Sequence, residues 1–366
     1  MKKLPVLPVN PLPPLYASWM DELLAGPIPH ETDATCDDCA MCADGDESRS
    51  AATFFNPETK CCTYIPELPN YLVGRILADN DPAFATGRKT VEDRVNAGVG
   101  VTPLGLAQPP NFRVLYGQSS ESLFGRSSTL RCPHYLADEG GRCGVWKHRA
   151  SVCATWYCKF VRGKVGLEFW TTLHQLLSRV ERTLPPWCVL ELDIGTAALK
   201  HLFPAPAPGG TKQVNPRALD GVAEPLESRR LWGSKWAGRE AEFYRECARL
   251  VNSLDWTKVM AIGGVDIQIY ARLLREAYAK LMSEKIPKRL KLGAIQVIAM
   301  DRDYCRITSY GAYDPVSVPR QLIDLLGYFD GRPTEEVIRT IALEQGINLD
   351  RKLVRRLTDL SVLVPV

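Results

Sequence analysis

The sequence predicts an α+β protein whose segments differ in character. Nine of the twelve cysteines lie between Cys36 and Cys158, apolar residues recur at helical spacing in the middle of the chain, and strands and helices share its last eighty residues. We expect a Pro-rich arm with a short helix, a loop-rich cysteine domain nucleated by metal, a mostly helical segment with a Pro/Gly-rich loop, and a small α+β domain. In that order, these segments cover residues 1–30, 31–183, 184–287 and 288–366.

Composition limits the partners and the compartment. The 366 residues are 45% hydrophobic, enough for one or two sizeable cores. The net charge is only +3 and acids interleave with bases, so we expect no nucleic-acid partner. Five prolines in the first fourteen residues prevent a continuous apolar helix there, and no apolar run reaches the ~20 residues that cross a bilayer. We therefore expect a cytoplasmic protein with reduced cysteines and no membrane partner.

Helical patterns are clear at a few places only. Apolar residues recur at spacings of three and four from residue 164 to 183, as in Leu173, Leu176, Leu177 and Val180. Further helices are expected at residues 16–24, near 240–253 and near 266–284. Residues 48–130 show little periodicity, which predicts turns and short elements, and residues 203–225 read as an exposed Pro/Gly-rich loop.

The last eighty residues are the most regular part of the sequence. Residues 294–300 and 304–310 read as two strands joined by a turn at Asp301-Arg-Asp303. Three helices are expected next, over residues 320–329, from Pro333 and after Asp350. The apolar run 362–366 suits an edge strand. This order predicts a winged-helix-like domain.

The cysteines fall into two groups whose chemistry suits a metal. The first is Cys36-Asp-Asp-Cys39-Ala-Met-Cys42, followed after eighteen residues by Cys61-Cys62. Two thiols at Cys-x2-Cys spacing converge on one ion across a single turn. We expect the adjacent pair to return to the first three cysteines in space. A disulfide scaffold is the alternative, but such scaffolds are usually short.

The second group carries a family resemblance. It contains Cys132 before Pro133, Gly141-Arg-Cys143-Gly-Val-Trp146 with Arg149, then Cys153 and Cys158. Residues 34–162 resemble the YkgJ-type cysteine-cluster family, described as zinc- or iron-chelating. The family has its early cysteines in a Cys-x2-Cys-x2-Cys-Cys motif, whereas here the Cys-Cys pair is displaced. The resemblance implies metal binding and no particular reaction.

Iron–sulfur, zinc and reduced cysteines without a metal all remain open. The candidate ligands are Cys36, Cys39, Cys42, Cys61, Cys62, Cys132, Cys143, Cys153 and Cys158. Eight thiolates and one spare, which we expect within the adjacent pair, suffice for one or two clusters of the 4Fe–4S type. Zinc sites usually show paired Cys-x2-Cys knuckles, and only the first group does. Some relatives in this group methylate flagellin lysines, and for these an iron–sulfur centre is expected, which favours iron.

Other residues near the cysteines have weaker claims. His134 and His148 are candidate additional ligands, although a hydrogen-bonded histidine is the simpler reading. Trp146, Trp156 and Tyr157 are expected to shield a cluster from water rather than bind substrate. Cys188, Cys247 and Cys305 stand alone and are expected to be buried as small hydrophobes.

The C-terminal domain carries a second resemblance. Residues 288–366 resemble the PqqD-type peptide-recognition domain, through the run Leu325-Leu-Gly-Tyr-Phe-Asp-Gly331 and the Thr-Glu-Glu-Val that follows. The resemblance implies that an edge strand pairs with an extended peptide. The alternative is a domain used for packing or dimerisation only.

Two functions therefore compete. The chain is either an iron–sulfur protein that modifies, or passes electrons to, a peptide or protein bound by the C-terminal domain, or a zinc-binding structural protein without catalysis. The sequence contains no phosphate-binding loop, no serine-nucleophile elbow and no radical-SAM Cys-x3-Cys-x2-Cys motif. It indicates no catalytic acid, base or nucleophile.

Overall fold

The computed structural model describes residues 11–34, 36, 39–42, 54–204 and 219–366. With 54% helix and 12% strand, the fold is mixed helix and sheet, as the sequence predicts for an α+β protein. Contacts divide the chain into two compact units. The cysteine unit comprises Met1–His30, Cys36–Trp156 and His174–Ala271, and the C-terminal unit comprises Glu31–Thr35, Tyr157–Leu173 and Arg272–Val366.

The helices and strands follow in chain order. The helices are α1 Pro14–Leu23, α2 Asn70–Ala78, α3 Ala85–Asn96, α4 Pro110–Leu123, α5 Ser151–Ala154, α6 Gly163–Glu191, α7 Thr196–Leu202, α8 Pro225–Trp236, α9 Glu240–Asn252, α10 Trp256–Met282, α11 Arg320–Leu326, α12 Thr334–Gln345 and α13 Arg351–Asp359. The strands are β1 Leu68–Pro69, β2 Val101–Thr102, β3 Gly105–Leu106, β4 Tyr135–Leu136, β5 Arg142–Cys143, β6 Arg289–Leu292, β7 Gln296–Met300, β8 Tyr304–Thr308, β9 Val316–Pro319, β10 Asp330–Pro333 and β11 Leu363–Pro365. No helix among the described residues has the length and apolarity that a membrane span requires.

The core of the cysteine unit is built around α2, which is buried on nearly every side. Gly74 lets α2 approach α9 closely, because a Cβ at this position would lie 1.7 Å from the carbonyl oxygen of Tyr244. Tyr244 itself is fully buried and donates its hydroxyl to the carbonyl of Thr102 at 2.8 Å. The close crossing holds the β2–β3 hairpin against the two helices.

The expectation of little regular structure over residues 48–130 is wrong, since α2, α3 and α4 lie there. Helix α2 has only nine residues, fewer than the 11–18 over which helical periodicity becomes clear. Helix α4 is longer, but Phe112 is its single buried residue, so it has no apolar stripe.

Helix α6 runs through the expected boundary at 183/184 to Glu191 and includes Pro185 and Pro186. Leu184 and Cys188 are fully buried on either side of these prolines. The side-chain amide of Asn70 donates to the carbonyl of Pro185 at 3.2 Å. Each proline removes one backbone donor from the helix, and the burial of its neighbours offsets part of that cost.

The helices predicted further along the chain are present, with shifted ends. Helix α9 matches the expected 240–253, while α10 begins ten residues before the expected 266. Gly264 interrupts α10 with a non-helical backbone. Most of the predicted loop at 203–225 lies outside the described residues, and α8 begins at Pro225.

The C-terminal unit contains two three-stranded sheets, with strand orders β7-β8-β9 and β10-β6-β11. The predicted hairpin is confirmed: β7 and β8 pair antiparallel, and Asp301 Oδ1 accepts from the backbone nitrogens of Asp303 and Tyr304. The three predicted helices and the edge strand β11 are confirmed as well. Asp350 caps α13 by accepting from the nitrogen of Lys352 at 2.9 Å.

Two segments earlier in the chain, residues 31–35 and 157–173, belong to this unit. Arg162 donates through Nε and Nη2 to the buried Asp359 at 2.6 and 2.7 Å, which ties the start of α6 to α13. Glu31 accepts from the Trp170 indole at 2.7 Å and from the backbone nitrogen of Val161 at 2.5 Å. These polar contacts have no sequence signature, so the boundary at residue 288 misses the earlier segments.

Candidate metal centre

The first three cysteines lie on a loop that the core anchors. The nitrogen of Cys42 donates to the carbonyl of Cys39 at 2.9 Å, which closes the turn between these thiols. An isolated β-bridge joins Cys42 to Phe55, and the backbone nitrogen of Phe55 donates to the carbonyl oxygen of Met41 at 2.7 Å. Met41 and Phe55 are buried, so their side chains fix the loop beneath the thiols.

The adjacent pair returns to this loop, as the sequence predicts. Residues 56–60 form a turn in which Asn56 accepts from the nitrogens of Thr59 and Lys60. Lys60 Nζ then donates to the carbonyl of Cys36 at 2.7 Å. The thiol of Cys61 is near enough to interact electrostatically with that of Cys36.

The second cysteine group is joined to the first through the backbone. The backbone nitrogen of Cys132 donates to the carbonyl oxygen of Cys62 at 2.8 Å. The backbone nitrogen of Tyr135 in turn donates to the carbonyl oxygen of Cys132 at 3.1 Å. Strand β4 then pairs with β5, which places Tyr135 opposite Cys143. Cys153 lies in the short helix α5, with its nitrogen donating to Ala150 at 3.0 Å.

The structure thus gathers eight thiols in the cysteine unit, linked to one another by electrostatic interactions. They are Cys36, Cys39, Cys42, Cys61, Cys62, Cys132, Cys143 and Cys153. Cys158 belongs to the C-terminal unit. None of the twelve cysteines, all of them among the described residues, forms a disulfide.

Crowding and burial oppose ionisation of these thiols. Burial, reinforced by neighbouring thiols, raises the pKa of Cys36, Cys42 and Cys132 to about 12. Burial raises the pKa of Cys143 to about 11 and also raises that of Cys153. A hydrogen bond with Cys62, together with burial, raises the pKa of Cys61. The same hydrogen bond lowers the pKa of Cys62, but burial and the later thiols raise it overall.

The thiols have the chemistry of ligands for a thiophilic metal, but their arrangement is not that of a formed metal site. Within the described ranges, no three His, Cys, Asp or Glu side chains are arranged as a group that could hold a metal ion in place. The eight thiols belong to loops, the short strand β5 and the short helix α5, and they are not paired in disulfides. A metal ion supplies the positive charge that crowded thiolates need, and binding releases their protons.

Three basic side chains lie beside the thiols. Arg149 is 3% exposed, and its charge counteracts the raised pKa of Cys36, Cys143 and Cys153. Its Nη1 and Nη2 atoms donate to backbone carbonyls, each at 2.9 Å. The charge of Lys60 likewise counteracts the raised pKa of Cys36 and Cys42, and the charge of the buried Arg94 counteracts the raised pKa of Cys132. Such fixed positive charge suits an anionic thiolate centre.

Sequence reasoning found one of these cations and missed two. Arg149 lies in the segment between Cys143 and Cys153 that the sequence singles out. Lys60 precedes Cys61 directly, and that adjacency is a usable signal. Arg94 lies on α3, forty residues before His134, and no local pattern points to it.

The two candidate histidines are occupied by hydrogen bonds to protein groups. His134 Nε2 accepts from Arg94 at 3.3 Å and Nδ1 lies 2.8 Å from Thr90 Oγ1, while burial lowers the histidine's pKa to about 3. His148 Nε2 lies 2.7 Å from Asp79 Oδ2, and burial lowers the pKa of His148. These contacts match the simpler reading of both residues.

The candidate shielding aromatics differ in their surroundings. Trp156 packs against Phe55, at 6.4 Å between ring centroids, and against Phe124. Trp146 is half exposed and lies under the Arg149 guanidinium, 3.6 Å from its carbon to the ring centroid. Tyr157 belongs to the C-terminal unit and packs on Trp170.

The three cysteines outside the two groups are buried, as expected, and two of them, Cys188 and Cys247, are neighbours in the core. Cys188 on α6 and Cys247 on α9 are both fully buried, with the Cys188 sulfur 4.0 Å from the Cys247 carbonyl oxygen. Burial and this neighbour raise the pKa of Cys247. Cys305 is buried in the core of the C-terminal unit.

The sheet β7-β8-β9 has one open edge and one guarded edge. Every residue of β7 is exposed, including Val297 at 44%, Ile298 at 47% and Met300 at 57%. The other edge strand, β9, ends at Pro319 and directly follows Pro315. Prolines protect an edge against further pairing, so β7 is the edge that can accept another strand.

The comparisons with known proteins give no neighbour. No family model matches the chain, and no match was found among curated proteins or solved structures.

Proposed function

We propose that this chain is an iron–sulfur protein of the cytoplasm that modifies, or exchanges electrons with, a peptide or protein bound by its C-terminal domain. The observation that carries the proposal is the gathering of eight free thiols from two distant stretches of sequence. A cluster, when bound, supplies one-electron transfer at a potential that nearby charge and burial adjust.

The chain's own residues have definite roles in this proposal. The eight cysteines would hold the metal, and Lys60, Arg94 and Arg149 would offset the negative charge of the thiolates. Trp156, with Phe55 and Phe124, forms an apolar wall in the same unit that limits access of water. His134 and His148 take no part as ligands, since protein groups occupy their ring nitrogens.

Irregular spacing favours iron–sulfur over zinc. The thiols of the second group come from a loop, a hairpin strand and a short helix rather than from paired knuckles. Zinc bound by the first loop remains the second candidate, because the turn from Cys39 to Cys42 has the Cys-x2-Cys spacing of a zinc knuckle. In that case the chain is a structural or interaction protein.

The test is the metal content of anaerobically purified protein. We expect a brown protein with broad absorbance near ~400 nm and bound iron and sulfide. Cys39→Ser and Cys153→Ser should each lower metal content. The matched control Cys188→Ser removes a buried thiol of the same unit outside the set and should leave metal content unchanged. A colourless protein with bound zinc would establish the structural alternative.

The partner role of the C-terminal domain rests on β7. We propose a winged-helix-like, PqqD-type domain in which an extended peptide adds a strand to this edge, with backbone hydrogen bonds giving affinity. Peptides selected from a random library against the wild-type chain provide the probe. Ile298→Lys places a charge on the open edge and should weaken their binding at least tenfold, whereas Ser317→Lys on β9 should not. Equal effects of the two changes would refute the assignment of this edge.

A further inference from the structure

A surface cavity of about 620 Å³ in the C-terminal unit is lined mainly by basic residues. One wall is the loop of residues 284–288 between α10 and β6, and the other is the first half of α13. Its cations are Lys285, Lys288, Arg351, Lys352 and Arg355, and Glu284 is the one carboxylate among the described residues that line it. The whole chain has a net charge of only +3, so this cavity concentrates positive charge.

Hydrogen bonds hold both walls of the cavity in place. Arg355 Nη2 donates to the carbonyl oxygen of Ser283 at 2.8 Å, which joins α13 to the start of the loop. At the other end of the loop, the buried Thr334 donates its backbone nitrogen to the carbonyl oxygen of Lys288 at 2.8 Å. Its hydroxyl donates to the carbonyl oxygen of Pro287 at 2.9 Å. The backbone that carries the cations is therefore fixed in advance, which lowers the entropic cost of binding a ligand.

The three lysines of the cavity have no acidic partner in the part of the chain that the structure describes. No described carboxylate lies within ion-pair distance of Lys285, Lys288 or Lys352, and none of these ammonium groups donates a hydrogen bond to a described protein atom. All three side chains are exposed at the surface. Like charges around one cavity repel one another, and an anion between them would remove that repulsion.

The two arginines are only partly neutralised. Arg351 pairs with Glu335 where both side chains are exposed, and such a pair contributes little. Nε and Nη1 of Arg355 each lie 3.8 Å from a carboxylate oxygen, which is beyond hydrogen-bond distance. A guanidinium carries five N–H donors, so each arginine keeps donors for an anion.

We propose that this cavity binds a small anion with two or more phosphate groups. Guanidinium groups contact phosphate oxygens in pairs and ammonium groups contact them as point charges, and the cavity supplies both. Its volume is typical of small-molecule sites. No aromatic side chain lies among the described residues that line it, so it offers no surface on which nucleic-acid bases could stack. The site uses none of the cysteines and no residue of β7, so it stands or falls independently of the proposed function.

The experiment is isothermal titration calorimetry of the whole chain with inorganic pyrophosphate at about 0.15 M salt. Lys285→Ala, Lys288→Ala and Lys352→Ala should each weaken binding roughly five- to tenfold, because each removes one charged donor. The matched control Lys291→Ala removes an exposed lysine of β6 outside the cavity and should change binding less than about twofold. Thermal unfolding checks that the variants are folded. Citrate, which carries carboxylates instead of phosphates, is the control ligand.

A second arm identifies the source of the phosphate groups. A free diphosphate and a lipid headgroup with several phosphates share this chemistry, so the protein is also sedimented with phosphatidylcholine vesicles that contain phosphatidylinositol bisphosphate. Binding in either arm that the three lysine variants weaken supports the site and names the source.

Four results would overturn the inference. They are no binding in either arm, equal losses in Lys291→Ala and Lys288→Ala, citrate binding as tight as that of pyrophosphate, and binding of a single-stranded oligonucleotide in place of both probes. None of these results bears on metal content or on peptide binding at β7, which are measured separately.

Discussion

Replacement of Arg149 by Met probes the environment of the thiols without removing any of them. Met has a similar length and no charge, so the change deletes the guanidinium while keeping most of the volume. Arg149 is almost fully buried, donates two hydrogen bonds and stacks on Trp146. Its loss therefore leaves the carbonyls of Trp146 and Pro11 without these donors.

The magnitude follows from these contacts. Each hydrogen bond from a charged group contributes about 1.5–3 kcal/mol, so the two together contribute about 3–6 kcal/mol. A hydrophobic replacement also removes the cost of burying a charge, which offsets part of that loss. We expect Arg149→Met to lower the free energy of unfolding by about 2–4 kcal/mol.

Urea unfolding followed by circular dichroism, under anaerobic and reducing conditions, measures this change. The midpoint should fall while the slope against urea stays constant, since the exposed area is the same. Arg142→Met is the matched control, because Arg142 is exposed and its ion pair with Glu139 contributes at most about 1 kcal/mol. A variant at Arg149 that is no less stable than the one at Arg142 refutes the reasoning.

Three further predictions concern the rest of the molecule. Burial opposes ionisation of Asp79, but hydrogen bonds from Lys147 and His148 lower its pKa from 3.8 to about 2. The ionised Asp79 therefore stabilises the fold by up to about 2 kcal/mol above pH 3.8, and this stabilisation is lost as the pH falls towards 2. Acid unfolding of the Asp79→Asn variant should lack this loss. Removal of the cation by Arg162→Met leaves a buried carboxylate and should cost about 3–5 kcal/mol in urea unfolding. Thermal unfolding should show Gly74→Ala destabilised by about 3 kcal/mol, whereas Gly117→Ala, which meets no atom within 4 Å, should be neutral or stabilising.

Regular patterns explain what the sequence predicted well. The C-terminal hairpin and its helices carry turn residues, caps and apolar spacing that act locally, so their positions hold to within a few residues. The cysteines themselves mark the candidate site. The return of the adjacent pair to the early cysteines was also expected from the sequence.

Long-range polar contacts explain what the sequence left out. Arg94 reaches the thiols from α3, and Arg162 joins the C-terminal unit through Asp359, without any local pattern. Helix α2 was missed because its nine residues are too few for helical periodicity to become clear. The burial of these side chains and their hydrogen-bond partners depend on contacts between distant parts of the chain, which a local sequence pattern does not encode.

The most direct test of the central claim is X-ray absorption at the iron edge of anaerobically prepared wild-type protein. If the eight cysteines bind iron–sulfur clusters, iron should have a first coordination shell of sulfur alone, followed by iron–iron scattering. A first shell dominated by nitrogen or oxygen, or protein that retains no iron, would contradict the account.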